Sequence, residues 1–348
     1  MSTDFLHALK LRYPLLQAPM AGVSTPDLAA AVSNAGGMGA LGIGAMNAAQ
    51  AREVIKRTQA LTHYPININV FCHKTPTANP ERESRWLQKM ANWFTELGEP
   101  VPEILSSPYL SFNDDEAMQN LLLELRPAVV SFHFGLPERT LVKRYHQAGI
   151  RLVATATNLA EADAIAAAGL DAIIAQGMEA GGHRGVFYPE LGDAQISTLA
   201  LTRRLRSRTS LPIIAAGGIM DGAAIKAALA AGASAVQMGT AFLLCPEAGI
   251  SSAYRHAIHE AEAEDTAITT AISGRAARGI RNKLYRSVHR GSEPDYPIAY
   301  DAAKQLHKLA AAKGIHDYAA HWAGQGVGLA REMPACLLVE TLAKEAGW

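Results

Sequence analysis

The amino-acid sequence predicts an α/β protein: a (β/α)8 TIM barrel with a smaller α/β cap domain over the C-terminal mouth of the barrel. Eight short apolar or β-branched runs recur along the 348-residue chain, and Ala- and Leu-rich helical stretches lie between them. The runs lack polar alternation, which indicates strands buried on both faces, and such strands alternating with helices need parallel crossovers. Eight units of this kind are the number that closes a barrel.

The predicted strands follow one another in chain order. They are LLQAPM from Leu15, GALGIG from Gly39, ININVF from Ile66, AVVSFHF from Ala128, RLVATAT from Arg151, AIIAQG from Ala172, PIIAAGG from Pro212 and AVQMGT from Ala235. The intervening stretches include TPDLAAAVSNAGG, LVKRYHQAG, NLAEADAIAAAG and DGAAIKAALAAG. Several of them begin with a cap-like Thr, Asn or Asp and end at Gly, which is typical of helices.

Two segments do not fit the repeat, and they predict the domain division. Residues 1–72 and 125–245 form the predicted barrel. Residues 73–124 and 246–348 form the predicted cap, with C-terminal helices that close the site.

A doubly wound open sheet shares the same local alternation of strands and helices and is the alternative fold. Gly37, Gly39 and Gly42 even have the GxGxxG spacing of a dinucleotide-binding loop. That loop must follow a strand and open a helix, whereas this stretch follows a helix and enters a strand. We therefore interpret Gly36 and Gly37 as the end of a helix.

Composition narrows the partners to small molecules. The 32 basic and 32 acidic residues balance, which gives no electrostatic footprint for nucleic acid or for a membrane surface. Three widely spaced cysteines favour free thiols in the cytoplasm, and the first residues, MSTDFLHALK, lack the apolar run of a secretory signal. The two histidines of HAIHE lack other clustered ligands, so no metal site is predicted. We expect a monomer or a homodimer.

The ends of the last two predicted strands indicate a phosphate site. AAGGIMDG and QMGTAF are the loops after strands seven and eight, where barrels of this kind most often bind phosphate. Gly217, Gly218, Gly239 and Thr240 would supply backbone N–H groups and one hydroxyl. The alternative is that the paired glycines only turn the chain.

The stretch AQGMEAGGHRG ends the sixth strand and carries a candidate acid/base. Gln176 ends the strand, and Gly181 lets the backbone pass close beneath a flat or phosphorylated ligand. His183 and Arg184 are then expected to face the mouth, and His133 closes the fourth strand in the same way. A histidine at such a place is a candidate catalytic group near neutral pH; the alternative is packing or a supporting hydrogen bond.

Other strand ends carry groups that suit a flavin ring. The amides of Asn69 and Gln237 can meet the donors and acceptors of the flavin pyrimidine edge, while Pro19, Met20 and Met238 can pack on its rings. Ordinary barrel packing is the alternative for each of them, and for Met20 alone it is the favoured one.

These motifs together resemble one family. QAPMAG, STPDLAAAVSNAGGMGALG, NINVF, SFHFG, AQGMEAGGHRG, AAGGI and QMGTAF occur in the order seen in the bacterial class I nitronate monooxygenases, formerly called 2-nitropropane dioxygenases. The resemblance implies a barrel with non-covalent FMN. It also implies that alkyl nitronates, with propionate 3-nitronate the usual one, are oxidised by O2 to a carbonyl compound and nitrite through one-electron transfer to FMN.

The resemblance also implies roles for particular residues. His183 corresponds to the active-site histidine of the family. The positions that match FMN contacts are Met20, Asn69, Gln176, Gly181, Gly218, Gln237, Met238, Gly239 and Thr240. The positions that match cap residues closing the substrate pocket are Tyr109, Tyr254, Tyr300 and Lys308, with Tyr296 competing with Tyr300.

Three other functions remain open at this point. An NAD(P)H-dependent flavin oxidoreductase, such as a quinone or enoyl reductase, would share the glycine loops. A flavin-binding protein without turnover, such as a redox sensor, would need neither His183 nor a cap that excludes water. A barrel that binds a phosphorylated substrate would use the same phosphate loops without flavin.

Overall fold

The computed structural model describes residues 4–287 and 291–348. Its central sheet has eight strands, all paired in parallel, in the order β1-β9-β8-β6-β5-β4-β3-β2. These strands are β1 (Leu15–Gln17), β2 (Gly39–Gly42), β3 (Ile66–Phe71), β4 (Val129–His133), β5 (Arg151–Ala156), β6 (Ala172–Gln176), β8 (Ile213–Ala216) and β9 (Ala235–Met238). All eight predicted strands are confirmed.

The first and last strands of this order meet and close the barrel. A parallel bridge joins Leu16 to Met38, which directly precedes β2. Two backbone hydrogen bonds support it: Gln17 N–H donates to Met38 O, and Met38 N–H donates to Leu15 O, each at 2.9 Å. The predicted (β/α)8 barrel is therefore confirmed, and the open-sheet alternative is wrong.

Helices surround the barrel and cover its mouth. They are α1 (Asp4–Leu9), α2 (Pro26–Asn34), α3 (Ala48–Leu61), α4 (Pro80–Glu96), α5 (Glu116–Leu125), α6 (Arg139–Gln147), α7 (Leu159–Ala168), α8 (Thr198–Arg206), α9 (Gly222–Ala230), α10 (Ser252–His259), α11 (Lys283–Ser287), α12 (Ile298–Ala311) and α13 (Ala335–Ala346). Side-chain N-caps predicted from the sequence are present at Thr25, Asn158 and Asp221.

The short helix α1 closes the N-terminal end of the barrel. Phe5 and Leu9 are buried there and pack with the strand residues Leu16 and Ile174. The sequence analysis did not predict this helix. The bottom of the barrel is thereby filled with apolar side chains, which leaves the opposite end for chemistry.

The segments predicted to form the cap pack partly on one another. Trp86 and Phe94 of α4 share an apolar cluster with Ile298 and Leu306 of α12. In contrast, Leu338 and the rest of the buried face of α13 pack in the same cluster as α2 and α9 on the outside of the barrel. The predicted domain division itself stays a prediction.

A small antiparallel sheet connects the cap to the barrel mouth. Its strands are β7 (Gly182–His183), β10 (Thr266–Thr269) and β11 (Ala277–Ile280), in the order β10-β11-β7. His183 pairs with Ala277, and the turn that joins β10 to β11 therefore lies beside the histidine. The sequence analysis did not predict this sheet, because its pairing joins residues almost a hundred positions apart.

Candidate active site

A cavity of about 370 Å³ lies at the C-terminal ends of the barrel strands, within the roughly 300–1,000 Å³ usual for small-molecule sites. The strand register places Gln176 and Gln237 at the same height along the barrel axis, because both residues pair with Ala216. All predicted site residues except Lys308 line it. They are Pro19, Met20, Asn69, Tyr109, His133, Gln176, Gly181, His183, Gly217, Gly218, Gln237, Met238, Gly239, Thr240, Tyr254 and Tyr300.

One end of the cavity is made of glycine backbone. Gly217 and Gly218 have φ angles of +124° and +68°, which favour glycine. Thr198 Oγ1 lies 2.9 Å from Gly217 O and 2.8 Å from Glu179 Oε2, and its single proton is donated to one of these two acceptors. The N–H groups of Gly217, Gly218 and Gly239 donate no hydrogen bond within the described part of the chain. They are therefore available to an anionic ligand group.

The loop after the sixth strand touches the C-terminal loop through backbone alone. A Cβ added at Gly181 would lie 2.5 Å from the backbone nitrogen of Gly324, so only glycine allows this approach. The Gly324 N–H donates to Thr240 Oγ1 at 2.9 Å. Because the Thr240 oxygen is the acceptor in that bond, its hydroxyl proton remains available to a ligand.

The predicted amides differ in how much of their hydrogen-bonding capacity is left for a ligand. Asn69 donates to Ser131 O and Oγ at 3.1 and 2.9 Å, which leaves its carbonyl oxygen available. Gln176 donates to His183 O at 2.9 Å and accepts from Gly185 N–H at 2.8 Å, so it mainly holds the loop. Gln237 Oε1 is buried and has no partner among the described residues. A buried acceptor of this kind needs a donor, which a bound ligand can supply.

Both predicted histidines lie in the cavity wall, but His133 uses its two ring nitrogens for support. Nδ1 is 3.0 Å from Thr155 Oγ1, and Nε2 is 3.2 Å from His183 O. A carbonyl oxygen only accepts, so Nε2 carries the proton and Nδ1 accepts from the Thr155 hydroxyl. Burial lowers the pKa of His133 to about 4, which keeps the ring neutral at pH 7. His133 therefore positions the backbone of His183.

His183 lies among aromatic rings. Its ring centroid is 5.1 Å from that of Trp322, 5.6 Å from that of Phe134 and 6.1 Å from that of Tyr300. Nε2 is 2.8 Å from Ser273 Oγ. Burial lowers the pKa of His183 to about 3, with added repulsion from the protonated form of His133 and from Arg275, so the imidazole is neutral at pH 7.

A buried arginine supplies positive charge beneath these rings. The Arg275 guanidinium lies 4.4 Å from the ring centroid of Phe134 and donates to Val186 O at 2.8 Å. Burial lowers its pKa to about 10, so it stays charged at pH 7. Phe134 has φ +73°, a strained conformation for a bulky residue, which places its ring between the guanidinium and the histidines.

The other end of the cavity carries phenols and an ammonium. The Nζ of Lys304 lies 4.5 Å from the ring centroid of Tyr109 and 5.3 Å from that of Tyr300. Burial raises the pKa of Tyr109, Tyr300 and Tyr296, so their hydroxyls are protonated at pH 7. This end therefore presents donors and one positive charge, which suits a carboxylate.

The structure corrects two predictions about charged side chains. Lys308 is exposed and does not line the cavity. Lys304 lines it instead, because it lies one turn nearer the start of α12 and shares a helical face with Tyr300. Arg184 does not face the mouth either: it is buried and donates to Asp193 at 2.6 Å and to Gly177 O at 2.7 Å. Neighbouring residues of an extended strand point to opposite sides, so His183 and Arg184 diverge.

Sequence reasoning missed several residues of this wall. Phe71, Thr155, Trp322, Gly324 and Lys304 line the cavity, and Ser273 bonds His183 from behind. Of these, Phe71 and Thr155 lie in or near the ends of predicted strands, so the strand-end rule could have found them. The others come from the C-terminal third of the chain, where no local motif marks them.

Fold and site together define a barrel protein with one covered small-molecule cavity at its strand ends. A sequence profile of the nitronate monooxygenase family matches residues 3–345. The nitronate monooxygenase of Pseudomonas aeruginosa is 52% identical over 99% of both chains. The nitronate monooxygenase of Paraburkholderia phytofirmans is 54% identical over 98% of this chain and 94% of its own. The chain therefore belongs to the nitronate monooxygenase family, a family of oxidoreductases, as the sequence motifs predict.

Solved structures agree with the barrel fold. A nitroalkane oxidase from Streptomyces ansochromogenes superposes with a TM-score of 0.89 at 39% identity and covers 99% of this chain and 98% of its own. FabK from Thermotoga maritima superposes with a TM-score of 0.75 at 26% identity, covering 100% of this chain and 96% of its own.

The described residues contain neither a cluster of metal ligands nor a membrane-spanning helix. Within residues 4–287 and 291–348, no group of three or more His, Cys, Asp or Glu side chains could hold a metal ion. Across the same part of the chain, no helix has the length and apolar character needed to cross a membrane.

Proposed function

We propose that the protein is an FMN-dependent nitronate monooxygenase that oxidises alkyl nitronates with O2 to a carbonyl compound and nitrite, with propionate 3-nitronate as its substrate. Membership of the family supports the reaction class. One observation carries the proposal: a single cavity joins the glycine amides at one end to His183 and to the phenols and ammonium at the other. The first end suits a phosphate, and the second suits an anionic substrate.

The residues of the cavity fit FMN. The unpaired amides of Gly217, Gly218 and Gly239 and the hydroxyl of Thr240 would hold its phosphate, with no basic side chain needed. The unpartnered Gln237 Oε1 fits a ring N–H of the flavin. Free carbonyl capacity on Asn69 and packing by Pro19, Met20 and Met238 would support the ring.

When bound, FMN supplies the electron acceptor for the nitronate, and the protein positions the substrate. Lys304 and the phenols of Tyr109 and Tyr300 would bind the carboxylate of propionate 3-nitronate through charge-assisted hydrogen bonds. A nitronate anion beside His183 raises the pKa of the imidazole, because an opposite charge stabilises the protonated form. In its protonated form His183 would donate a hydrogen bond to a nitronate oxygen.

The cellular setting and the domain roles are part of the proposal. Free cysteines, two of them buried, are consistent with a cytoplasmic protein. We propose that it acts as a monomer or homodimer on small molecules, without nucleic acid or membrane partners. The barrel, residues 1–72 and 125–245, would bind the cofactor, and residues 73–124 and 246–348 would form the cap.

An anaerobic absorbance titration of the purified protein tests this function. Propionate 3-nitronate should bleach the oxidised flavin absorbance, and NADH in a parallel sample should not. Air should then restore the absorbance and release nitrite and a carbonyl compound in equal amounts. Protein without flavin, or with flavin but without nitrite from any nitronate, would refute the proposal. Bleaching by NADH alone would favour the NAD(P)H-dependent oxidoreductase instead.

The identity of the flavin is tested separately. Heat release followed by chromatography should recover FMN rather than FAD, because the glycine amides and the Thr240 hydroxyl form one group of donors that suits a single terminal phosphate. A colourless protein that binds a phosphorylated metabolite would favour the barrel without flavin.

A further inference from the structure

Ser273 is a buried serine that contacts the candidate catalytic histidine. It is 0% exposed and lies in the turn between β10 and β11. Its Oγ is 2.8 Å from Nε2 of His183. The same oxygen is 3.3 Å from the backbone nitrogen of Arg275 and 3.2 Å from the backbone oxygen of Arg275. Three hydrogen-bonding groups therefore meet at one hydroxyl.

The available protons allow one complete arrangement. The Arg275 N–H can only donate, and the Arg275 carbonyl can only accept. The hydroxyl has one proton, so it must donate that proton to the carbonyl if both backbone groups are to be paired. The remaining acceptor position of Ser273 Oγ then faces His183, and the proton of that bond must come from Nε2.

The reverse arrangement leaves a buried group unpaired. If Ser273 donated to His183 Nε2, the carbonyl oxygen of Arg275 would face a hydroxyl oxygen at 3.2 Å with no proton between them. A buried acceptor left without a donor costs about 1–3 kcal/mol. The complete arrangement is therefore favoured.

We propose that Ser273 is a positioning residue that holds His183 in the Nε2–H tautomer, so that any proton exchanged with a bound substrate is carried by Nδ1. Nδ1 forms no hydrogen bond within the described residues and is not fully enclosed by protein, and His183 lines the cavity. The role in catalysis rests on the proposed function; the tautomer does not.

His133 cannot serve the same purpose. Thr155 and the carbonyl of His183 engage both of its ring nitrogens. The two cavity histidines therefore have different tasks, although both were candidate catalytic residues in the sequence analysis. His133 holds the backbone of His183, and Ser273 sets the proton on its ring.

This arrangement lets His183 receive an anion without moving the ring. When a bound nitronate raises the pKa of His183, the imidazole takes up a proton from solvent at Nδ1, while Nε2–H keeps its bond to Ser273. The ring is donor on both nitrogens in that state. Without the Ser273 acceptor, the Nδ1–H tautomer and the flipped ring would no longer be higher in free energy than the Nε2–H tautomer.

Nitrogen NMR of protein labelled in the histidine rings measures the tautomer directly. Spectra at pH 7 are compared for the wild type, His183→Asn, which assigns the signals, Ser273→Ala and Ser273→Thr. Ser111→Ala is the control, since it removes a similarly buried serine hydroxyl that donates to His73 O rather than to His183.

The wild type should show a protonated Nε2 and an unprotonated Nδ1 for His183. Ser273→Ala should shift the tautomer ratio about two- to tenfold toward Nδ1–H, because one hydrogen bond is lost. Ser273→Thr should restore the wild-type pattern, and Ser111→Ala should not change it. A protonated Nδ1 in the wild type, or an unchanged ratio in a folded Ser273→Ala protein, would overturn the proposal.

Kinetics with propionate 3-nitronate separates this proposal from the proposed function. Ser273→Ala should lower kcat/KM about two- to tenfold, with recovery in Ser273→Thr. If no variant or wild type oxidises nitronates, the proposed function fails while the tautomer measurement still stands. If the wild type is active and the tautomer is Nδ1–H, the Ser273 proposal fails alone.

Discussion

Replacing Lys304 by methionine should weaken the binding of propionate 3-nitronate, while the same change at Lys308 should not. Lys304 and Lys308 are both exposed residues, but Lys304 lines the cavity and its Nζ lies over the rings of Tyr109 and Tyr300, whereas Lys308, one turn farther along α12, does not line it. The two variants remove the same charge from the same helix. Their difference therefore reports the position of the ammonium and not the net charge of the protein.

The magnitude follows from the surroundings of the ammonium. Partial burial lowers the pKa of Lys304. A hydrogen bond between charged groups contributes about 1.5–3 kcal/mol. Because Lys304 is also an exposed residue, solvent screening reduces this to about 1–1.5 kcal/mol, which corresponds to about a 5- to 12-fold increase in KM on its loss. Methionine keeps most of the apolar stem, so packing against Tyr109 should change little.

Steady-state oxygen consumption with two substrates provides the assay. Propionate 3-nitronate carries a carboxylate, and ethyl nitronate does not. Lys304→Met should raise KM for the first substrate and change KM for the second by less than about threefold, since only the carboxylate bond is lost. Equal increases for both substrates, or equal effects of Lys304→Met and Lys308→Met, would refute the assignment of Lys304 to the carboxylate.

Three further predictions follow. Gly181→Ala should destabilise the protein by about 1–3 kcal/mol and release flavin, because the new Cβ would lie 2.5 Å from the backbone nitrogen of Gly324. Gly98→Ala is the control for flavin retention: it meets nothing within 4 Å, but its φ of +68° makes alanine cost about 1–2 kcal/mol, so it should destabilise the protein without releasing flavin. Equal flavin loss from the two variants would contradict the prediction. The free energy of unfolding should decrease as pH falls from 6.5 toward 4, because His183 takes up a proton in the unfolded chain but not in the folded protein, where its pKa is near 3. Each such histidine contributes about 1.4 kcal/mol per pH unit. If His183→Asn leaves the pH dependence of the unfolding free energy unchanged, His183 does not contribute to it. Arg275→Met should raise the pKa of His183, because a repelling charge is removed, and a pH titration by NMR that shows no rise would rule out that charge as a cause.

The barrel could be predicted from the sequence because each strand is marked locally. Uninterrupted apolar runs such as ININVF and AIIAQG can only be satisfied between two covered faces, and caps such as Asp221 mark the helices between them. The rim of the cavity followed from the same pattern, since parallel strands bring their C-terminal ends together. Gly217 and Gln237 were found in this way.

The remaining features depend on contacts that no local pattern records. The helix α1 has six residues and carries too little periodicity to be recognised. The strand β7 has two residues, and its pairing with β11 requires the chain to return after about ninety positions. That pairing makes the chain extended at His183 and Arg184, so the Arg184 side chain points away from the cavity, and the prediction that it faces the mouth was wrong. Lys304 and Lys308 differ by one helical turn, which only the packing of α12 decides.

The residues that line the cavity come from two parts of the chain, the barrel and the segment after residue 246, and the two groups have different structural requirements. Glycine amides and strand-end amides belong to the closed barrel, whose backbone is held by parallel pairing on both sides. Ser273, Lys304 and Trp322 come from the segment after residue 246, which reaches the cavity through the β7–β11 pairing and the contact of Gly324 with Gly181. A flat cofactor needs a rigid surface, and the barrel rim provides it. The later segment can change its side chains without disturbing that surface, so substrate preference in this protein should be governed by α12 and the turn at Ser273 rather than by the barrel.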